Sequence, residues 1–171
     1  MAGALVELKV LGVRRQSPLD QVVVLLLDLV GRRLLPIVVG LAEGTAIAAA
    51  HSGAVPPRPM THDLLVAALR STGVDLERVE IVALIDGVFH AELVLDNGER
   101  VDSRASDAIA VAVRAGCPVL CAPEVLIESG LEVEEHTADE EVEEFRAFLD
   151  TVSPDDFVAG DEGPEGRRPP S

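Results

Sequence analysis

The stretch VDSRASDAIAVAVRAGCPVLC, Val101–Cys121, packs a strand end, a charged turn, a small-residue helix, a glycine stop and a second buried strand into one run. Arg104, Ser106 and Asp107 fall where strand becomes helix. Ser106 is expected to cap a helix over Ser106–Ala115, with Gly116 ending it. Pro118–Cys121 then reads as a short strand and Glu124–Ser129 as a short helix.

Working outward, the segment before this helix is a meander. Val79–Ile85, Val88–Leu95 and Glu99–Ser103 are joined by Asp86-Gly87 and Asn97-Gly98, dipeptides that accept the positive φ angles of tight hairpins. Phe89, Ala91, Leu93 and Leu95 alternate with His90, Glu92 and Val94, as a strand with one wetter face should. The first part of the chain has the same grammar. Val6–Val13, Gln21–Leu29 and Arg33–Val39 are three strands, the last marked by Pro36 as an edge or a bulge. An Ala-rich helix follows over Glu43–Ser52 and stops at Gly53. Thus LLLDLVGRRLLPIVV leads to AIAAAHSG, and LVLDNGERVDSR leads to AIAVAVRAG. The repetition predicts a duplicated β(3)α unit and an α+β fold, a mainly antiparallel sheet covered by short helices. It also makes the helix starts at Glu43 and Ser106 equivalent positions that can face one another.

Between the halves, Val55–Met60 contains three prolines and must be an extended loop. Thr61 then caps a helix over Thr61–Ser71, with Asp63 in its first turn. Leu64, Leu65, Ala68 and Leu69 form its apolar stripe.

The 171 residues are 48% hydrophobic but only 2% aromatic, so the core must be Val, Leu, Ile and Ala, and aromatic stacking on bases is not available as a binding device. Residues 1–131 carry 11 Lys and Arg against 16 Asp and Glu; residues 132–171 carry 3 against 14. A folded domain over 1–131 and an acidic tail over 132–171 follow. The tail holds an amphipathic helix at about 139–150, from the spacing of Val142, Phe145, Phe148 and Leu149, and a disordered end from Gly160. Cys117 and Cys121 on an extended segment would lie roughly 13 Å apart, too far for a disulfide, and read as buried thiols. The apolar run Val22–Val30 is too short to span a bilayer as a helix. Met1–Ala4 lacks a basic region followed by an apolar stretch, so a cytoplasmic protein without membrane contact is expected. P-loop, dinucleotide-binding, nucleophile-elbow and zinc-ligand patterns are all missing from the sequence.

Three helix starts carry a carboxylate: Glu43, Asp63 and Asp107. Compensation of the helix dipole explains each one singly. Together with His62 and Arg104 they also form a set able to hold a divalent cation, act as a general base and clamp a phosphate. Arg104 can otherwise pair with Asp102 or Asp107.

Three motifs in this order and spacing resemble the bifunctional nuclease domain family. They are LPIVVGLAEGTAIA (Leu35–Ala48), PPRPMTHDLL (Pro56–Leu65) and VDSRASDAIAVAVRAGCPV (Val101–Val119). Family members typically show LPIWIGxxEAxAIA, RPxTHDL and DARPSDAIALA. The resemblance covers about residues 5–131, and EEVEEFRAFLDTVSPDDF (Glu140–Phe157) is similar to the acidic tail of some bacterial members. Ala105 stands where the family usually has Pro, and Val38 where it has an aromatic residue; neither touches the charged set. The resemblance implies a nuclease acting on DNA, RNA or both, with candidates Glu43, His62, Asp63, Asp102, Arg104, Ser106 and Asp107. In that reading Glu43, Asp63 and Asp107 hold Mg or Mn, His62 activates water, Arg104 steadies the phosphate, and Asp102 and Ser106 support them. The competing expectation is a non-catalytic binding or assembly module, a homodimer formed through small-residue helices, with the acidic tail as its regulatory segment.

Overall fold

The computed structural model describes residues 3–18, 20–133 and 142–143. The chain divides into two units, Met1–Val133 and Glu134–Ser171. The amphipathic helix expected near 139–150 and the end after Gly160 lie outside the described residues, save for Val142 and Glu143.

The first unit runs β1 (Val6–Gln16), β2 (Gln21–Asp28), β3 (Arg33–Val39), α1 (Leu41–His51), α2 (Thr61–Ser71), β4 (Leu76–Ile85), β5 (Val88–Leu95), β6 (Arg100–Arg104), α3 (Ala105–Ala115), β7 (Val119–Cys121), α4 (Pro123–Ser129) and β8 (Leu131–Glu132). All eight strands join one sheet in the order β6-β5-β4-β7-β1-β2-β3-β8. Every neighbouring pair is antiparallel except β4 with β7. The α+β expectation holds. Each half is three strands followed by a helix, and β7 joins them by pairing with β1 on one side and β4 on the other. Because β7 is antiparallel to β1 and parallel to β4, the two meanders run in opposite senses, which turns one half about the sheet relative to the other.

Side-chain alternation decides which face is covered. The register rows Leu35–Leu26–Val10 and Leu8–Val119–Val79–Leu93 point to one side, and these residues with Ile81, Ala91 and Ile37 build the core. α1 packs there against β1 and β2, and α3 against β4 and β5, closing the core with Ile47, Ile109 and Val111. A methyl group at Gly44 would run into Cγ1 of Val22, so this glycine inside α1 is what lets the helix lie so close to β2. On the opposite face the row Glu7–Leu120–Glu80–Glu92–Asp102 crosses five strands. Glu80 there is held between Arg78, 2.7 Å away, and Arg100, which also bonds Glu92 at 2.6 Å. Its side chain is only 6% exposed, so both guanidiniums are needed to keep a carboxylate at that depth.

The turns behave as their residues dictate. Asp86 and Gly87 both have positive φ, and Asn97 accepts a hydrogen bond from the Glu99 amide at 3.0 Å. The turn at Val30-Gly31 is closed by buried Asp28, whose Oδ1 accepts from the amides of Val30 and Gly31, each at 2.9 Å. β8 reaches only Arg33 and Leu34 of β3, so Pro36 sits on open edge, as its missing N–H requires.

Three local expectations need correction. Ser106 is not a cap: α3 begins at Ala105, Arg104 holds the capping position, and Ser106 is buried in the first turn. Met60, not Thr61, precedes α2, and the Asp63 side chain accepts from the Met60 amide at 3.0 Å. The apolar stripe of α2 is also turned. Val66 is its buried residue and Leu69 packs partly on the core, while Leu64 is 59% exposed and Leu65 is exposed beside it. Cys117 and Cys121 are free thiols, and burial with Glu124 nearby pushes Cys121 up to about 12.

Candidate functional site

α1, α2 and α3 each have a carboxylate as their third residue: Glu43, Asp63 and Asp107. Because α3 packs against both α1 and α2, the first turns of the three helices come together. Arg104 bridges the two halves at this end of the helices. Its Nη2 donates to Oε1 of Glu43 at 3.2 Å and its Nε to Oδ2 of Asp107 at 2.7 Å. The other oxygen of Asp107, Oδ1, lies 3.0 Å from Nε2 of His62. Glu43, Arg104, Asp107 and His62 therefore form one continuous row, contributed by the first turns of three helices and the end of β6.

Local backbone explains how each member is aimed. Residue 104 is extended, φ −66° and ψ 145°, so the last residue of β6 reaches over the first turn of α3 toward its own Asp107. Gly40 plays the matching part at α1, since a β-carbon there would collide with the Glu43 carboxylate. His62, only 14% exposed, is held at the second position of α2.

The electrostatics follow. Burial pushes the Asp107 carboxyl up, but the hydrogen bonds from Arg104 and His62, reinforced by the charge of Arg104, outweigh it and leave Asp107 below its ordinary range. Arg104 is raised further, first by its hydrogen bond to Asp107. Asp107 is thus a fixed anion near neutral pH, able to orient an imidazole through an Nε2–H and leave Nδ1 as a proton acceptor. The Arg104 side chain is 66% exposed. Of the five N–H groups on a guanidinium, two are engaged by Asp107 and Glu43, and the others can meet a phosphate oxygen.

Asp63 does not join this row. Its Oδ1 accepts from Nε of Arg114 at 2.8 Å and its Oδ2 from the Met60 amide. Asp102 is exposed on β6 opposite Glu92 and is not bonded to Arg104. Ser106 is buried beside Asp107 in the chain. The expected ion-binding set of Glu43, Asp63 and Asp107 does not form a common ligand cluster, and among the described residues no three or more of His, Cys, Asp and Glu gather in a way that could hold a metal ion. As placed, these carboxylates face arginines rather than one another.

The sequence does not single out Arg114. Its side chain is 8% exposed, and besides Asp63 it donates to the carbonyls of Ala110 at 2.9 Å and Ala46 at 3.0 Å, tying all three helices together. In the sequence it reads as a cation in the last turn complementing the helix dipole. One signal is present: Arg114 lies seven residues after Asp107, two turns along α3 and so on the same face.

No helix among the described residues is long and apolar enough to cross a membrane. The sequence matches the family described as the bifunctional nuclease domain over residues 24–134, from within β2 to one residue past the first unit. Two uncharacterized proteins of Mycobacterium tuberculosis, one from strain CDC 1551 and one from strain H37Rv, are each 42% identical over 161 residues, covering 90% of this chain and 98% of theirs.

Proposed function

Because the chain belongs to the bifunctional nuclease domain family, we propose that it hydrolyses phosphodiester bonds of DNA, RNA or both, at the row formed by Glu43, Arg104, Asp107 and His62. The observation that carries this reading is the bond between Asp107 and His62 at 3.0 Å with Arg104 on the other oxygen of the same carboxylate. In this mechanism Asp107 holds His62 through Nε2–H, Nδ1 takes a proton from the attacking water as its oxygen bonds to phosphorus, and His62 returns that proton to the sugar oxygen that leaves as the old P–O bond breaks. Arg104, steadied by Glu43, binds the phosphate and offsets the charge that grows on its oxygens in the transition state. Asp63 acts on His62 only by fixing the first turn of α2, and the cytoplasm is the compartment of action.

Residues 1–131 carry −5 from 11 cations and 16 anions, and Arg104 is itself flanked by Glu43 and Asp107, so a phosphate is met by its remaining N–H groups rather than by a net positive field. Purified protein is tested on single-stranded DNA and RNA, with and without EDTA, alongside His62→Ala and Asp107→Asn. Removal of a general base should lower cleavage by about 10²–10⁴-fold. Folded variants that cut as fast as wild type would overturn the assignment. EDTA sensitivity would show that a cation takes part.

A second reading, an assembly module forming a homodimer, is favoured by α2, which leaves Leu64 and Leu65 in solvent and Met60 half exposed beside them. Sedimentation of wild type against Leu64→Glu separates the two. A dimer lost in the variant, from a protein that never cleaves nucleic acid, would favour assembly.

A further inference from the structure

A cavity of about 330 Å3 opens between the C-terminal half of α1, the loop over residues 53–60, the first turn of α2 and the last turn of α3. Ala50, Val55, Pro56 and Met60 give it apolar walls, and Asp63 and Arg114 are its charged lining. We propose that this cavity receives one unpaired nucleobase of a nucleic-acid strand, read by Asp63 and Arg114. The inference deepens the nuclease reading and, for its link to cleavage, rests on it.

Charge decides the class of ligand. Asp63 and Arg114 neutralise each other at 2.8 Å, so the cavity offers no net attraction to a phosphate. What it offers is hydrogen-bonding capacity between apolar walls. Arg114 has three of its five N–H groups engaged, by Asp63, Ala46 and Ala110. Each Asp63 oxygen accepts one bond, and a carboxylate oxygen can accept a second. A donor beside an acceptor matches the edge of an uncharged heterocycle that carries a carbonyl next to an N–H, as bases do. Enzymes that draw a base out of its stack hold it in this manner, by edge hydrogen bonds between apolar side chains. The volume suits a small planar ligand. The wall formed by the loop is stiffened by Pro56, Pro57 and Pro59, which lowers the ordering cost of binding.

Position links the cavity to the row. His62 and Asp63 are consecutive in the first turn of α2, yet His62 faces Asp107 and Asp63 faces Arg114. One turn of helix therefore serves both places. A strand with one phosphate at Arg104 and an unpaired base in the cavity would be fixed at two points.

The test uses the full chain and uncharged probes. Adenosine, guanosine, cytidine and uridine are titrated by heteronuclear NMR, with ribose 5-phosphate as the control. At least one nucleoside should saturate shifts at Ala50, Val55 and Met60, while ribose 5-phosphate leaves those residues unmoved. Ala50→Leu, which fills the cavity, should weaken that binding by about tenfold or more. Val55→Asp, on the exposed loop, should also weaken it. No shifts with any nucleoside, equal affinity in both folded variants, or shifts there from ribose 5-phosphate would each overturn the proposal. Cleavage is read separately. Protein that binds a nucleoside here but cuts no nucleic acid keeps the base site and loses the nuclease reading. Protein that cuts but binds no nucleoside keeps the nuclease and loses the base site.

Discussion

Replacing Arg114 by Met keeps the length of the side chain and removes its charge and donors. The carbonyls of Ala46 and Ala110 lie within helices, so loss of the extra donor from Arg114 leaves them weakly affected, about 0.5 kcal/mol each at the low end of a neutral hydrogen bond. The larger part concerns Asp63. A hydrogen bond to a charged group contributes about 1.5–3 kcal/mol, and the Asp63 side chain is 28% exposed, so water recovers part of it and roughly 1–2 kcal/mol remains. The expected destabilisation is thus about 2–3 kcal/mol, well below the cost of stranding a fully buried charge. Urea unfolding of wild type, Arg114→Met, Asp63→Asn and the double variant would measure it. The Asp63→Asn change should matter less when Arg114→Met is already in place, with a coupling of about 1–2 kcal/mol. Strict additivity, or an Arg114→Met protein within about 0.5 kcal/mol of wild type, would refute the claim that this pair ties α2 to α3.

Other outcomes follow from the same coordinates. Asp107 and Glu80 both lie below the ordinary carboxylate range, so each contributes stability that is present above about pH 4 and lost as pH falls through its own lower value; the acid limb of a stability–pH curve should be flatter in Asp107→Asn than in wild type. Gly44→Ala should cost about 1–3 kcal/mol, because the new methyl meets Val22 and the α1–β2 spacing must widen; thermal unfolding reads this directly. Glu80→Gln should destabilise by about 1–3 kcal/mol, since Arg78 and Arg100 lose the carboxylate they share, with the melting temperature as readout.

The sheet is legible in the sequence because its signals are local. Glycine-containing turns, strand alternation and an Ala-rich helix after each meander need no tertiary information, and they place β2, β3, β5 and α2 within a residue or so of their observed bounds. What fails is rotational. The residues of α2 read correctly as helical, yet the sequence cannot say that Val66, rather than Leu64 and Leu65, meets the core, because either arc of that helix is apolar enough. Cap positions fail for a related reason. Ser106 and Thr61 are good capping residues, but an extended Arg104 and Met60 fill those places once β6 and the proline loop fix where each helix starts. The partners of Arg104 lie between these extremes: Asp107 is local and expected, whereas Glu43 is 61 residues away and follows only from the repeat.

The repeat also explains why the row is not symmetric. Glu43 and Asp107 occupy the same place in α1 and α3, and the turn of one half against the other sets them on either side of Arg104. The copies already differ at the capping position, Gly40 in the first and Arg104 in the second, so the two halves alone give two carboxylates sharing one arginine and no imidazole. α2 belongs to neither copy of the β(3)α unit. It packs on α3, and its first turn brings His62 to Asp107 alone. Asp107 therefore has an arginine on one oxygen and an imidazole on the other, while Glu43 has the arginine. The two equivalent sequence positions acquire different chemistry from Arg104, which only the second copy carries, and from the inserted helix, and Asp107 is the carboxylate on which function should depend more steeply.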